Sequence, residues 1–115
     1  MNFYSARLLI VALVDDGRPR KTHLWDESIV VFRARDFDHA FERALEIGRS
    51  HETEYLNGDQ QMLRWVLVKI ENVNLVGKKV DGAEVASSLN YRRSKEPIPF
   101  ATVFRPEASK PDESF

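Results

Sequence analysis

From Tyr4 to Val14 the chain reads Tyr-Ser-Ala-Arg-Leu-Leu-Ile-Val-Ala-Leu-Val, apolar at both odd and even positions except for Ser5 and Arg7. A strand sends successive side chains to opposite faces, so a run that is apolar on both parities predicts a strand covered on both sides. The strand is expected over about Phe3 to Val14. It should end at Asp15-Asp16-Gly17-Arg18-Pro19, a cluster of turn formers. A second strand is expected from about His23 to Arg33, where Trp25, Ile29, Val30, Val31 and Phe32 suit a pleated, half-buried surface. The two form a hairpin. If the reversal is centred near Gly17, residues whose numbers sum to about 34 face each other, which sets Arg7 opposite Glu27 and Leu9 opposite Trp25.

The pattern then changes period. Phe37, Ala40, Phe41, Ala44, Leu45, Ile47, Gly48 and Tyr55 follow the spacing of an amphipathic helix, with Glu42, Arg43, Glu46, Arg49 and Glu54 mostly on the other side. Asp36 stands where an N-cap belongs, because its carboxylate can accept a bond from a free N–H of the first turn. Asn57-Gly58 is the expected stop, since either residue can take the left-handed conformation that closes a last turn.

From Gln61 to about Val76 the chain alternates again. Met62, Val66, Val68 and Ile70 lie on one parity and Leu63, Trp65 and Leu67 on the other. After a break at Gly77 to Gly82, a more polar edge strand is expected from about Glu84 to Tyr91. The order ββαββ belongs to the α+β class. The preferred topology is an antiparallel four-stranded sheet, order 2-1-3-4, with the two most apolar strands central and one long helix on one face. One helix covers one face, and a second copy of the chain is the simplest cover for the other, so a homodimer is expected.

Residues 1–92 are read as a single α+β domain and residues 93–115 as a Pro-rich C-terminal extension, with Pro97, Pro99, Pro106 and Pro111 excluding a regular helix. Ile98, Phe100, Val103 and Phe104 can dock on a surface. From Arg105 onward the composition is that of a mobile tail.

Composition narrows the function classes. The 17 Lys and Arg against 18 Asp and Glu give a net charge of -1, which removes the broad positive field on which most nucleic-acid binders rely. The absence of cysteine leaves no disulfide framework, thiolate nucleophile or zinc ribbon, and makes a reducing cytoplasm the default expectation. The apolar run at Leu8 to Val14 is short and leads into Asp15-Asp16-Gly17, so it reads as a strand, not a secretory signal. No stretch approaches the roughly 20 apolar residues that span a bilayer, and no membrane partner is expected.

The candidate chemistry is sparse. His51-Glu52-Thr53-Glu54-Tyr55 begins like a zinc-protease helix but has Tyr55 where the second imidazole must stand. Asp36, Asp38 and His39 are explained by capping and by the helix dipole. Ser5, Ser28 and Ser88 have no neighbouring His and no glycine-rich elbow. No metal and no cofactor are expected. Arg18-Pro19-Arg20-Lys21, Arg92-Arg93-Ser94-Lys95 and Lys78-Lys79 could contact phosphates, but they lack the interleaved aromatics that stack bases, so nucleic acid is not the expected partner. Trp25 and Trp65 are candidate interface residues, because large aromatics are enriched at protein contacts.

Tyr4-Ser5-Ala6-Arg7-Leu8-Leu9, Trp25-Asp26-Glu27-Ser28, Glu54-Tyr55-Leu56-Asn57 and Asp81-Gly82-Ala83-Glu84-Val85-Ala86-Ser87, in this order and spacing, resemble the small bacterial family catalogued as domain of unknown function 4288. The family pattern has an aromatic where Ala86 stands and a basic residue where Ser88 stands. The resemblance implies a bacterial, cytoplasmic α+β protein without an assigned activity. It carries over no catalytic residue, and it draws attention to Arg7, Glu27, Tyr55, Asn57 and Glu84 as a candidate polar site. The expected function is a non-enzymatic, homodimeric binding or interaction module. The alternatives are a small-molecule binder or enzyme with a polar pocket near the helix C-terminus, and an accessory nucleic-acid binder if the hairpin tip and Arg92-Arg93 share one surface.

Overall fold

The computed structural model describes residues 1–79 and 87–111, and for residues 87–90 it describes the backbone. The elements are β1 (Asn2–Val14), β2 (Arg20–Ala34), α1 (Phe37–Ser50), β3 (Thr53–Leu56), β4 (Met62–Gly77) and β5 (Ser87–Ile98), followed by a 3-10 turn at Pro106–Ser109. They form one five-stranded antiparallel sheet, order β3-β4-β1-β2-β5, with α1 on one face. The class is α+β.

The four-stranded order 2-1-3-4 is corrected in two places. A fifth strand, β3, lies outside β4, and the last strand pairs with β2 instead of with β4. Both corrections have one cause: two long strands flanking β1 each leave an unpaired outer edge, and each edge recruits chain wherever the connection can reach it. β3 forms from residues expected to be the end of the helix. α1 closes at Ser50, with His51 as its C-cap and the Ser50 hydroxyl bonded to the Ile47 carbonyl. The stretch Thr53-Glu54-Tyr55-Leu56 then pairs with Trp65-Arg64-Leu63-Met62. Asn57-Gly58 turns the β3–β4 hairpin instead of stopping the helix, and the Asn57 Oδ1 accepts from the backbone N–H of Asp59 and Gln61. Asp36 is the N-cap as expected, accepting from the His39 N–H at 2.8 Å.

The β1–β2 register sums to 36, so Arg7 faces Ile29, Leu9 faces Glu27 and Val11 faces Trp25. The reversal is thus one residue further along than expected. β4 follows β1 with three register shifts, one at Leu9/Ile10, which leaves Val68 between the partners of those two residues. This bulge breaks the parity read from the sequence. Leu67 and Ile70 both enter the core under the helix, whereas Val66 and Val68 belong to the cluster on the other face.

Under α1 the core holds Tyr4, Ala6, Leu8, Ile10, Phe32 and Phe41, with Ala40 and Ala44 letting the helix approach the sheet. Gly48 is required for that approach. A Cβ there would lie 2.7 Å from a methyl group of Leu67, which is itself fully buried.

Part of the second face is covered by the chain's own C-terminal segment. β5 continues through residues 93–98, with Pro97 tolerated because β5 is an edge strand. Ile98, Phe100 and Phe104 then pack on Val11, Leu13 and Val66, while Val103 stays exposed. Arg64 secures the crossing by donating to the Phe100 carbonyl at 2.6 Å, with its guanidinium over the Phe100 ring. Beyond Arg105 the chain, expected to be a mobile tail, rounds the outer edge of β4 and returns to α1. The Ser109 hydroxyl accepts from the Ile70 N–H, Arg49 pairs with Glu107 at 2.9 Å, and Lys110 pairs with Asp38. Together with Glu52, whose carboxylate accepts from the Leu67 N–H at 3.0 Å, this strap occupies donors that an exposed sheet edge would offer to another chain.

Two outcomes follow from these contacts. Phe104→Ala is expected to lower stability by about 1–3 kcal/mol, below the range for a fully buried Phe because the ring is only half covered; urea denaturation reads it, and an unchanged midpoint would mean that the strap contributes nothing. His23 is buried, and burial, with Arg20 nearby adding to it, holds its imidazole below the ordinary value of 6.5. As pH falls through about 6.5 the unfolded chain takes up a proton that the folded chain refuses, so stability drops on acidification. Denaturation midpoints at pH 7.5 and 5.5 should differ, and His23→Gln should reduce the difference.

Candidate ligand-binding site

The residues singled out from sequence separate onto two faces. On the face opposite α1, Arg7 and Glu27 meet although they are not directly opposite, because residues displaced by two positions on neighbouring strands still share a face. Arg7 Nη2 donates to Glu27 Oε2 at 2.5 Å, and Arg92 Nη1 donates to Glu27 Oε1 at 2.7 Å. Arg7 also lies 4.0 Å from Glu71, which pairs with Lys69 at 3.7 Å, and Arg92 sits over the Trp25 ring. The result is a stripe of alternating charge across β5, β2, β1 and β4. Both oxygens of the Glu27 carboxylate are taken, and its side chain is only 12% exposed. The stripe therefore closes on itself, and its chemistry is that of a structural ion-pair network.

Tyr55 does not join it. Its partner across β3 and β4 is Leu63, whose partner on β1 is Val14, so Tyr55 lies on the face that carries α1. Its hydroxyl accepts from the Trp65 indole N–H at 3.2 Å. Asn57 is held in the hairpin turn, and Glu84 lies outside the described residues. The polar pocket expected near the helix C-terminus is thus not assembled from Arg7, Glu27, Tyr55 and Asn57. Of the two tryptophans, Trp25 packs into the cluster under the strap and Trp65 borders the helix core.

What the fold does assemble is a trough that no sequence motif marked. At 14 residues α1 is about 21 Å long, against about 43 Å for the 13-residue β1, so half of the helix-bearing face extends past the helix. On this open half, register sets two lateral rows. With the β1–β2 register continued past its last pair, Val11–Trp25, one runs Trp65, Ala12, Leu24, Tyr91, and the next runs Leu63, Val14, Thr22, Arg93. Small side chains on the central strands make a floor, with Trp65 on one side and Tyr91, 73% exposed, on the other. The resulting cavity is about 220 Å³, and Arg18 and Arg20 of the β1–β2 hairpin line its end.

The charges at that end are ordered by Asp16. Its carboxylate accepts from the Arg18 backbone N–H and pairs with the Arg20 side chain; these contacts outweigh the opposing effect of desolvation and hold its pKa below 3.8. Arg18 and Arg93 have no carboxylate within ion-pair distance among the described residues. The basic hairpin tip was visible in the sequence, as was Tyr91 in an otherwise polar strand. Their meeting was not, because it depends on β5 pairing with β2. Arg93 shares the trough face with the tip, while Arg92 points to the other face with Glu27.

Among the described residues no group of three His, Cys, Asp or Glu side chains is placed to hold a metal ion, and no helix is long and apolar enough to cross a membrane. His39 Nδ1 is engaged by the Arg35 N–H at 3.0 Å. Fold and site together define a small sheet-and-helix domain of the α+β class with an open aromatic and cationic trough. The chain belongs to the family described as Domain of unknown function (DUF4288), whose model matches residues 3–87. Comparison with curated proteins and with solved structures gives no match.

The network on the second face can be weighed by a double-mutant cycle. With Arg7 39% and Glu27 12% exposed, the pair lies between a surface ion pair and a buried one. Arg7→Ala and Glu27→Ala are expected to couple by about 1 kcal/mol, with Glu27→Ala the costlier single change because it strands two guanidinium groups. Additive effects would remove the network from the stability of the fold.

Proposed function

We propose that this protein is a binding module rather than a catalyst, and that its ligand occupies the trough between Trp65 and Tyr91. The observation that carries this reading is the open half of the helix-bearing face, where an apolar floor meets a few convergent polar groups. Of those polar groups Arg18 and Arg20 suit holding: a guanidinium stays protonated at any working pH and donates hydrogen bonds without accepting them, so neither can serve as a base, and His23, which also borders the cavity, stands opposite Arg92 on the parity of the other face. The charge stripe on the other face supports the same reading, since its carboxylates are already paired.

The homodimer expected from the two-faced strands loses its main premise. The strap already occupies the apolar part of the second face, and the reading proposed here needs one chain. The accessory nucleic-acid reading has Arg18, Arg20 and Arg93 on one face in its favour. A cavity of about 220 Å³, below the roughly 300–1,000 Å³ of drug-sized sites, holds one small ring system instead of a run of stacked bases.

Ligand-detected NMR with a panel of one- and two-ring aromatics of all charge types provides the test. Several members should bind and compete with one another, and Trp65→Phe with Tyr91→Ala should weaken them about tenfold, while Trp25→Phe should not. A panel without binders, or binders indifferent to Trp65 and Tyr91, would refute the reading.

A further inference from the structure

The two ends of the trough differ in chemistry, and the difference selects a ligand class. Around the first row the surface is aromatic and aliphatic, from Trp65 across Ala12 and Leu24 to Tyr91. The second row lies two residues, about 7 Å, nearer the hairpin, and adds Thr22 and Arg93. Beyond it stand Arg18 and Arg20. Among the described residues no carboxylate belongs to the lining, and the hairpin carboxylate of Asp16 is committed to Arg20 and to the Arg18 backbone.

We infer that the trough takes a small aromatic carboxylate, its ring on the Ala12 and Leu24 floor beside Trp65 and its acid group turned toward Arg18, with Arg93 outside the lining on the same face. This rests on the trough being the binding site and adds the charge and orientation of the ligand. The size of the cavity limits the body to one or two fused rings. The distance between the rows limits the arm between ring and acid to one or two carbons. A guanidinium with no competing carboxylate forms charge-assisted hydrogen bonds about twice as strong as neutral ones, so the acid contributes both affinity and direction. A phosphate on a nucleotide would offer related chemistry to the same guanidinium groups, and the experiment separates that source.

Isothermal titration of the intact chain with indole-3-acetate, indole and tryptamine keeps the ring constant while the charge changes. The acid is expected to bind at least tenfold more tightly than indole, and tryptamine more weakly than either. Arg18→Ala should bring the acid close to indole while leaving indole unchanged, and raising salt should weaken the acid alone. Equal binding of the three would overturn the inference and leave the trough itself intact as the site. Failure of all three, with no member of the aromatic panel bound, would remove both. Uridine 5′-monophosphate or a short oligothymidylate binding more tightly than indole-3-acetate would also overturn it, in favour of a phosphate ligand.

Discussion

The helix spans about 21 Å and the central strand beneath it about 43 Å, and the rest of the architecture answers to that mismatch. β1 is apolar on both faces along most of its length, so twice its length in apolar surface requires cover. α1 supplies cover for the upper half of one face. The strap from Ile98 to Phe104 covers the lower half of the other. A diagonal pair of quarters remains, one filled by the Arg92–Glu27–Arg7–Glu71–Lys69 stripe and the other left open as the trough.

Edges impose the second constraint. A long strand pair cannot end in solvent without exposing a row of backbone donors and acceptors, and here each long edge meets a different partner. β3 and β5 pair with part of β4 and part of β2. Further along β4, side chains take over, with Glu52 and Ser109 accepting from Leu67 and Ile70. The same strap that covers the second face thus also guards the sheet edge, which couples the C-terminus to both.

The two polar features of the molecule illustrate opposite uses of arginine. Arg7 and Arg92 share one half-buried carboxylate and have their charge answered within the fold. Arg18, on a hairpin whose geometry Asp16 fixes through its backbone, keeps its side chain unengaged by any carboxylate among the described residues. Charge that is already satisfied contributes to stability and register. Charge held in place beside an apolar cavity is available to something else.

Much of this was legible in the residues. The two-faced run at Tyr4 to Val14, the turn at Asp15 to Pro19, the Asp36 cap and the long strand ending near Gly77 all follow from local periodicity and turn chemistry, which act over a few residues and need no partner to be read. The meeting of Arg7 with Glu27 was also within reach, because diagonal neighbours tolerate the shift of one residue in the turn that moved the direct partners. The end of the helix at Ser50, the bulge at Val68, the choice of β2 over β4 by the last strand, and hence the trough, were decided only in three dimensions. Thr53 to Leu56 can continue a helix or pair with a strand, and the unpaired edge of β4 settled which, since hydrogen bonds to a waiting edge outweigh the small differences in local propensity.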